Sequence, residues 1–261
     1  MTKPILRTDP DGRVATPRVE ALSDAELEVL NGLLPWQCFT LDGKGRRFGR
    51  PASLVKRNAP QVIPDRRIVE LDRRVPLAGL RVLEVGCFEA IHTIALADHG
   101  ARVVAIDARI ENVVKTLTRL WGFGCEADVF QCDVERPGDF DRLPEVDVLH
   151  HVGVLYHLVD PVRHLRQALG RTRRALMIDT HVAGEGEATR SYEVDGRSYA
   201  YKHFQENGRA AAFAGMYDHA KWLPLDTLAG LLRECGFANV DVAEVRAERN
   251  GLRTLIYATR S

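Results

Sequence analysis

The chain has 261 residues and balances 36 Lys and Arg against 36 Asp and Glu, so its formal charge is zero with neutral His. This balance excludes a protein that coats nucleic acid over its whole surface, and 45% hydrophobic residues are typical of a globular protein. No eighteen-residue apolar run and no secretory signal pattern occurs, which predicts a cytoplasmic protein without a membrane span. Five scattered cysteines without a CxxC pair predict reduced thiols.

Residues 1–75 lack a regular alternation of strands and helices, because seven prolines interrupt them. One helix is predicted over 23–33, where Ser23 and Glu26 form a capping box that satisfies free backbone donors of the first turn. We expect this segment to be an N-terminal cap.

From residue 76 the pattern changes to apolar runs that alternate with helical stretches. A helix over 161–170 has Asp160 as its N-cap and Pro161 at its first position. Such alternation predicts an α/β fold with a doubly wound, mostly parallel sheet. The remaining strands are predicted at 81–86, 102–107, 128–133, 146–152 and 175–180, and the remaining helices at 89–99 and 109–121.

The C-terminal part begins with an irregular polar segment over 181–221, which we call the lid segment. Its tyrosines and phenylalanines favour an ordered substrate lid over disorder. A helix follows over 225–235, and then strands over 240–245 and 253–258. Asn250 and Gly251 separate these strands, and because both residues tolerate positive φ they predict an antiparallel hairpin.

The turn after the first parallel strand contains Glu84 and Gly86, and the next two strands end in Asp107 and Asp133. Glycine lets a ligand approach the backbone, and ligands of open α/β sheets bind at the carboxyl ends of the strands. Only one of the three glycines of a dinucleotide motif is present, which disfavours nicotinamide-dependent reduction.

The stretches VLEVGCFEA (82–90) and VVAIDA (103–108), with Asp133 and the terminal hairpin, resemble class I S-adenosylmethionine-dependent methyltransferases over 75–261. The resemblance implies a Rossmann-like methyltransferase domain over 76–261 with S-adenosyl-L-methionine as cofactor. In that family the matches to Gly86–Phe88 line the methionine portion, Asp107 holds the ribose and Asp133 faces the adenine, whereas glycines stand at the positions of Phe88 and Ala90. The cofactor-binding residues expected here are Trp36, Glu84, Gly86, Cys87, Phe88, Asp107, Ala108, Asp133, Val134, Gly153 and Tyr156.

The stretch Gly153–His157, with Asp160-Pro161 and segments near 215–224 and 235–237, is similar to the carboxymethyltransferase of wobble uridine in transfer RNA. That enzyme binds the carboxylate of carboxy-S-adenosylmethionine through a lysine, a tyrosine and an arginine. Tyr156 and Arg253 match the last two, while Gln37-Cys38 stand where the lysine is expected. Ordinary methyl transfer is therefore favoured.

A general base is needed where the acceptor must lose a proton, and histidine suits that task near neutral pH. His157 and His181 follow the fourth and fifth parallel strands and are our catalytic candidates. We expect His150 in the core of a strand and His164 on an exposed helix face. No HxH or HxxxH spacing indicates a metal site. The substrate-binding candidates are Tyr156, Tyr217, His219 and Arg253.

We expect methyl transfer to an oxygen or nitrogen of a small-molecule acceptor. An RNA-modifying enzyme of the wobble-uridine type is the alternative, and a nucleotide-binding regulatory module without chemistry is a third. Residues 44–74 carry ten basic groups against three acids, and residues 126–147 carry eight acids. A solvated basic face or a site for one acidic substrate is favoured over RNA, because no aromatic stacking platform accompanies it. The ten basic groups of residues 44–74 are Lys44, Arg46, Arg47, Arg50, Lys56, Arg57, Arg66, Arg67, Arg73 and Arg74.

The oligomeric state is left open.

Overall fold

The computed structural model describes residues 5–49 and 58–260, and the chain forms two compact units over Met1–Gln131 and Cys132–Ser261. Its α-helices are α1 (Pro17–Glu20), α2 (Asp24–Leu33), α3 (Arg66–Arg74), α4 (Ile91–Asp98), α5 (Ile110–Phe123), α6 (Pro161–Gly170) and α7 (Leu225–Glu234). Its strands are β1 (Thr40–Leu41), β2 (Arg47–Phe48), β3 (Arg81–Val85), β4 (Arg102–Asp107), β5 (Asp128–Gln131), β6 (Val146–Val152), β7 (Thr172–His181), β8 (Arg190–Val194), β9 (Arg197–Gln205), β10 (His219–Trp222), β11 (Asn239–Glu248) and β12 (Gly251–Thr259).

The first unit contains a parallel arrangement in which β4 pairs with both β3 and β5. Val82, Leu83, Val104 and Ala105 are buried, as expected for strands without a solvent-exposed face. α4 follows β3 and α5 follows β4, so both helices begin at the carboxyl ends of these strands. Each strand therefore delivers its last residues to a turn that starts a helix.

The N-terminal segment contains more regular structure than the sequence predicts. The capping box of α2 is confirmed, because Ser23 and Glu26 satisfy each other's backbone donors. α3 was not predicted, since six of its nine residues are charged and hide the short apolar pattern. It forms because Asp65 caps its first turn and because Ile68 and Leu71 are buried. The division predicted at residue 75 stays a prediction.

In the second unit β6 and β7 are parallel, β12 is antiparallel to β7, and β11 is antiparallel to β12. The α/β class, the mostly parallel sheet and the C-terminal hairpin are thereby confirmed. α6 begins as predicted, with the Asp160 side chain accepting from the Arg163 amide. β5 ends at Gln131, however, so Asp133 follows the strand by two residues instead of ending it.

The hairpin turns one residue earlier than predicted. Its turn residues are Arg249 and Asn250, while Gly251 already pairs with Glu248 in the ladder. Gly251 has a φ of 139° and lies against Trp222, where a Cβ would come within 3.0 Å of the indole ring. The glycine is therefore used for a close approach to a side chain and not for the turn itself.

The lid segment is ordered as predicted, but the prediction that it is irregular was wrong. β8, β9 and β10 form a three-stranded antiparallel sheet in the order β10-β9-β8. Tyr199 and Tyr201, two positions apart on β9, both lie on its buried side, with 4% and 9% of their surface exposed. Charged and polar residues occupy most other positions and obscure this alternation in the sequence.

A buried histidine pair links β6 to α6. Nε2 of His151 lies 2.9 Å from Nε2 of His164, and both side chains are buried. The prediction that His164 is exposed was therefore wrong, because α6 turns this position toward the core; His150 is buried as expected. Burial lowers the pKa of His151 to about 4 and the pKa of His164 well below its usual value. Both rings are neutral at pH 7.

This pair predicts acid sensitivity. Because the native state holds both imidazoles neutral while the unfolded chain protonates them near pH 6.5, the unfolding free energy should fall as pH drops from about 6.5 toward 4. Each histidine contributes a slope of about 1.4 kcal/mol per pH unit. Urea unfolding across this range should show a flatter slope for His151→Leu/His164→Leu. The variant His219→Gln, at a half-buried position of β10, should keep the original slope, and equal slopes in all three proteins would contradict the assignment.

Candidate active site

The turn between β3 and α4 has an unusual backbone. Gly86, Phe88 and Ala90 have φ values of 81°, 50° and 66°, so two L-residues adopt the left-handed conformation that glycine adopts freely. The amides of Gly86 and Cys87 both donate to the Ile106 carbonyl, at 2.8 and 3.0 Å. These two hydrogen bonds fix the turn against β4. Every second residue from 86 to 90 has a positive φ, as glycines at these positions would readily adopt.

Asp107 ends β4 beside this turn and is half-buried. Its Oδ2 accepts from the Phe88 amide at 3.1 Å, and its Oδ1 accepts from the Arg109 amide at 2.9 Å and from the Asn112 side chain at 3.1 Å. Burial raises the pKa of Asp107, although these donors oppose the shift. The carboxylate therefore joins the turn to α5, and both of its oxygens accept hydrogen bonds.

Two predicted cofactor residues near the turn have little or no access to solvent. Glu84 is 1% exposed, and burial raises its pKa to about 8, so it is protonated at neutral pH. Burial also raises the pKa of the Cys87 thiol, which accepts from the Thr116 hydroxyl at 3.3 Å. Ala108, the next predicted residue, is half-buried beyond the end of β4. Their cofactor roles stay predictions.

Glu89, which the sequence analysis missed, holds the N-terminal segment to this turn. Its Oε1 accepts from the Gln37 amide at 2.7 Å and from Lys115 Nζ at 2.8 Å. Its Oε2 accepts from the Cys38 amide at 3.1 Å and from Arg119 Nη2 at 3.5 Å. Glu89 and Arg119 are fully buried, and Lys115 is 2% exposed. One buried carboxylate thus joins two backbone amides of the N-terminal segment and two cations of α5.

Trp36, predicted to cover the cofactor, is completely buried in the small core of the N-terminal segment. Its ring packs edge-on against Phe48 at 5.6 Å, and the Arg119 guanidinium lies 4.7 Å from the ring centroid. The structure gives this side chain a packing role, and contact with a cofactor stays a prediction.

The second unit carries the other predicted cofactor residues. Asp133 is 9% exposed, and its Oδ1 accepts from the Glu135 amide at 3.1 Å. Val134 is half-buried beside it. Gly153 follows β6 with a φ of 77° and donates its amide to the Asp179 carbonyl at 3.0 Å. A Cβ at this glycine would meet only the Tyr156 hydroxyl, at 3.9 Å.

Tyr156 is the centre of an aromatic cluster in the second unit. Its ring lies 4.1 Å from the ring of His157 and 4.7 Å from that of His181. Trp222 stacks on His181 at 4.7 Å and donates its indole hydrogen to the Tyr156 carbonyl at 2.8 Å. Phe204 also stacks on Trp222, with the ring centroids 4.3 Å apart. The structure therefore brings both predicted catalytic histidines against one predicted substrate residue.

The two histidines differ in their hydrogen bonds. His157 Nδ1 lies 2.6 Å from Glu206 Oε1, and the His157 side chain is 17% exposed. His181 Nδ1 donates to the Leu252 carbonyl at 3.1 Å, and its side chain is only 4% exposed. Burial lowers the pKa of His181, so its ring is neutral at pH 7. His157 is thus the more accessible of the two imidazoles.

Arg253 lies next to Tyr156, and its guanidinium forms ion pairs with two acidic residues. Its guanidinium lies 5.3 Å from the Tyr156 ring centroid, and its Nε donates to the fully buried Asp179. Arg253 Nη1 also lies 3.6 Å from Glu248 Oε2. Asp179 is further paired with Arg246 at 3.1 Å. The positive charge of Arg253 is therefore compensated within the second unit.

The other two substrate candidates lie on the lid segment, apart from these contacts. Tyr217 is 43% exposed, and burial together with Asp133 and Glu135 raises its pKa. His219 pairs with Asp218 at 2.8 Å and stacks on His203 at 5.5 Å. Their substrate contacts stay predictions.

The basic residues of 44–74 are largely engaged where the structure describes them. Arg46 binds Asp24 and Asp42, Arg67 binds Asp65, and Arg73 and Arg74 bind Glu70. Lys44 donates to the Glu20 carbonyl. The predicted members Arg50, Lys56 and Arg57 lie outside the described residues.

A family profile described as a methyltransferase domain matches residues 44–242 of the chain. The chain belongs to this methyltransferase-domain family. The match extends from the N-terminal segment through the turn, the aromatic cluster and the lid segment into β11.

Among curated relatives, the chain is 36% identical to a ubiquinone biosynthesis O-methyltransferase of Xylella fastidiosa over 112 residues, which are 40% of this chain and 45% of that protein. It is 35% identical to a tRNA U34 carboxymethyltransferase of Methylococcus capsulatus over 127 residues, 47% of this chain and 38% of that protein. The chain spans less than half the length of these relatives.

Solved structures support the methyltransferase fold. The N-terminal domain of EvdMO1, crystallised with SAH and D-fucose, aligns with a TM-score of 0.73 at 22% identity, covering 92% of this chain and 98% of that one. Magnesium protoporphyrin IX methyltransferase from Synechocystis PCC 6803 aligns with a TM-score of 0.53 at 17% identity, covering 74% and 80%. Across residues 5–49 and 58–260, none of the helices has the length and apolarity needed to cross a bilayer.

Sequence reasoning missed Glu89, Lys115, Arg119, Trp222 and the pairing of Glu206 with His157. Lys115 and Arg119 are four residues apart on α5, and with the nearby Glu89 they offered a signal, since charges on an apolar helix face need buried partners. Nothing in the spacing of His157 and Glu206, which are 49 positions apart, indicates their contact.

The Glu89 cluster should dominate the stability of the first unit. Glu89→Gln leaves two buried cations short of a negative charge, which should lower the unfolding free energy by about 3–5 kcal/mol. Glu70→Gln removes an acid that binds two arginines at the surface of α3, and it should change the unfolding free energy far less. Urea unfolding monitored by circular dichroism measures both, and similar losses would show that Glu89 is not specially required.

Proposed function

We propose that the protein transfers a methyl group from S-adenosyl-L-methionine to an oxygen or nitrogen of a small-molecule acceptor. Membership of the methyltransferase-domain family and the joining of the β3 turn to Asp107 carry this proposal. The cytoplasmic location and the exclusion of membrane partners stay predictions from the sequence.

The first unit has a hydrogen-bond acceptor for the ribose and hydrogen-bond donors for the carboxylate of S-adenosylmethionine. Asp107 is half-buried and offers an oxygen to ribose hydroxyls, and the turn of Gly86–Ala90 begins α4, whose first amides favour a carboxylate. The cofactor would supply an electrophilic methyl group on a sulfonium. The residues of the turn would bind and orient it.

The second unit supports the acceptor side. Tyr156 and His157 are partly exposed and form a mostly apolar wall, which the buried rings of His181 and Trp222 support. Displacement at a methyl carbon gains most from alignment, and a rigid aromatic wall can position a small acceptor. His157 can remove the proton that the acceptor must lose.

Arg253 favours the ordinary cofactor over its carboxylated form. In the tRNA carboxymethyltransferases that the sequence resembles, the matching arginine binds the carboxylate of the cofactor together with a lysine that this chain lacks. Here Arg253 is compensated by Asp179 and Glu248. A further carboxylate would have to compete with both acids.

The charge pattern likewise supports a small acceptor over RNA. Most of the described basic residues of 44–74 form ion pairs with neighbouring acids. Phosphate binding at this surface would require breaking those pairs.

Calorimetry with S-adenosylhomocysteine tests the donor half. The protein should bind it, and Asp107→Ala should weaken binding about tenfold or more, because a charge-assisted hydrogen bond to the ribose is lost. Asp107→Asn, which keeps the shape, should be weakened in the same direction. Glu126→Ala in the exposed loop after α5 should bind normally. Absence of binding to the unaltered protein would contradict the proposal.

A competition experiment tests the choice of cofactor. Carboxy-S-adenosylmethionine should bind no more tightly than S-adenosylmethionine, because Arg253, the residue matched to carboxylate binding, is already paired with Asp179 and Glu248. Glu248→Gln should shift the preference toward the carboxylated form. Tighter binding of the carboxylated form by the unaltered protein would instead support the RNA-modifying alternative.

A further inference from the structure

The lid segment contacts His157 at two separate points. Glu206, directly after β9, has its carboxylate 2.6 Å from His157 Nδ1 and is 8% exposed. Gly215 lies against the same residue, where a Cβ would come within 2.5 Å of the His157 carbonyl oxygen and 3.1 Å of its Cβ. The Glu206 amide donates to the Asp218 carbonyl at 2.8 Å, which closes the segment that contains both contacts.

The contact with Glu206 determines which imidazole nitrogen carries hydrogen. A carboxylate oxygen only accepts, so His157 Nδ1 must be the donor in this bond. In the neutral ring Nε2 is then bare and can accept a proton. Tyr156 packs against the ring at 4.1 Å and restricts its rotation.

His181 lacks such a carboxylate at its donor nitrogen. Its Nδ1 is bound to a backbone carbonyl, and Glu248 lies 3.8 Å from its other nitrogen, beyond hydrogen-bond distance. The ring is stacked on Trp222 with an angle of 11° between their planes. His181 therefore belongs to the wall, and an imidazolium at this position would have only the more distant Glu248 carboxylate beside it.

We propose that Glu206 is a positioning residue that holds His157 as the general base of this enzyme, and that the acceptor group is a hydroxyl. This inference rests on the methyl transfer proposed above. The lid segment thereby supplies part of the catalytic apparatus as well as a covering for the acceptor.

The proton balance follows from this geometry. Nε2 of His157 takes the hydroxyl proton while the acceptor oxygen forms a bond to the methyl carbon. The bond from that carbon to sulfur breaks, and its electron pair stays on sulfur, which becomes a neutral thioether. His157 becomes an imidazolium beside the Glu206 carboxylate and later releases the proton to water.

A hydroxyl acceptor accounts for the Glu206–His157 pair better than an amine. A neutral amine already has a nucleophilic lone pair and can lose its extra proton to water after the transfer. A hydroxyl is a weak nucleophile until its proton is removed, so a positioned base contributes on the order of 100-fold or more.

The first experiment examines the imidazole without any acceptor. Protein labelled with ¹⁵N-histidine should show the hydrogen of neutral His157 on Nδ1, with the signal assigned by His157→Gln. In Glu206→Gln the amide can donate as well as accept, so the preference for Nδ1–H should be lost. Glu193→Gln, an exposed glutamate on β8, should leave the spectrum unchanged. An unchanged tautomer in Glu206→Gln would overturn the positioning role.

The second experiment measures transfer of a labelled methyl group to catechol, to methyl D-fucoside and to benzylamine as probes. At least one hydroxyl probe should be methylated, and Glu206→Gln should lower kcat on the order of 100-fold with unchanged affinity for S-adenosylhomocysteine. Glu206→Asp should recover part of the rate, and Glu193→Gln should keep it. Gly215→Ala, which displaces His157 without altering Glu206, should also lower kcat.

Two results would overturn the assignment of the acceptor: methylation of benzylamine alone, or of no hydroxyl probe. The relative rates with catechol and methyl D-fucoside distinguish a phenol from a sugar hydroxyl. Failure of the proposed methyl transfer would appear separately, as absence of S-adenosylhomocysteine binding in a protein whose His157 tautomer is still set by Glu206.

Discussion

The buried carboxylate of Glu89 is the interaction on which the first unit depends. A single ion in an apolar interior is costly, and it is tolerated only when cations and hydrogen bonds surround it. Glu89 receives both from two directions, because Lys115 and Arg119 lie on α5 while the Gln37 and Cys38 amides belong to the N-terminal segment. The turn that precedes α4 is therefore held by charge from one side and by Asp107 from the other.

In the second unit the polar atoms of the cluster are held in another way, because aromatic rings surround them. Trp222 stacks on His181 and Tyr156 packs edge-on against it, and the lid segment contributes Glu206 and Gly215 to His157. One histidine is fixed by packing and the other by a carboxylate. The two histidines of this cluster are thus distinguished by their hydrogen-bond partners.

The sequence predicted the parallel strands and most helices closely, because long apolar runs, the Ser23 capping box and Pro161 each act locally. α3, the strands of the lid segment and the burial of His164 were not predictable in this way. In each case the apolar pattern was short or interrupted by charges whose partners are distant in sequence. The Glu206–His157 contact has the same cause, since only the folded lid segment brings these residues together.

The backbone of the turn over 86–90 shows what a motif of letters can miss. Phe88 and Ala90 adopt left-handed angles at a cost of about 1–2 kcal/mol each, and the Lys115 ammonium, 5.2 Å from the Phe88 ring, offsets part of that cost. A search for glycines finds only one of the three positions, Gly86, whereas the backbone has a positive φ at all three. Distant members of such a family are therefore better recognised by the path of the chain than by the residues that follow it.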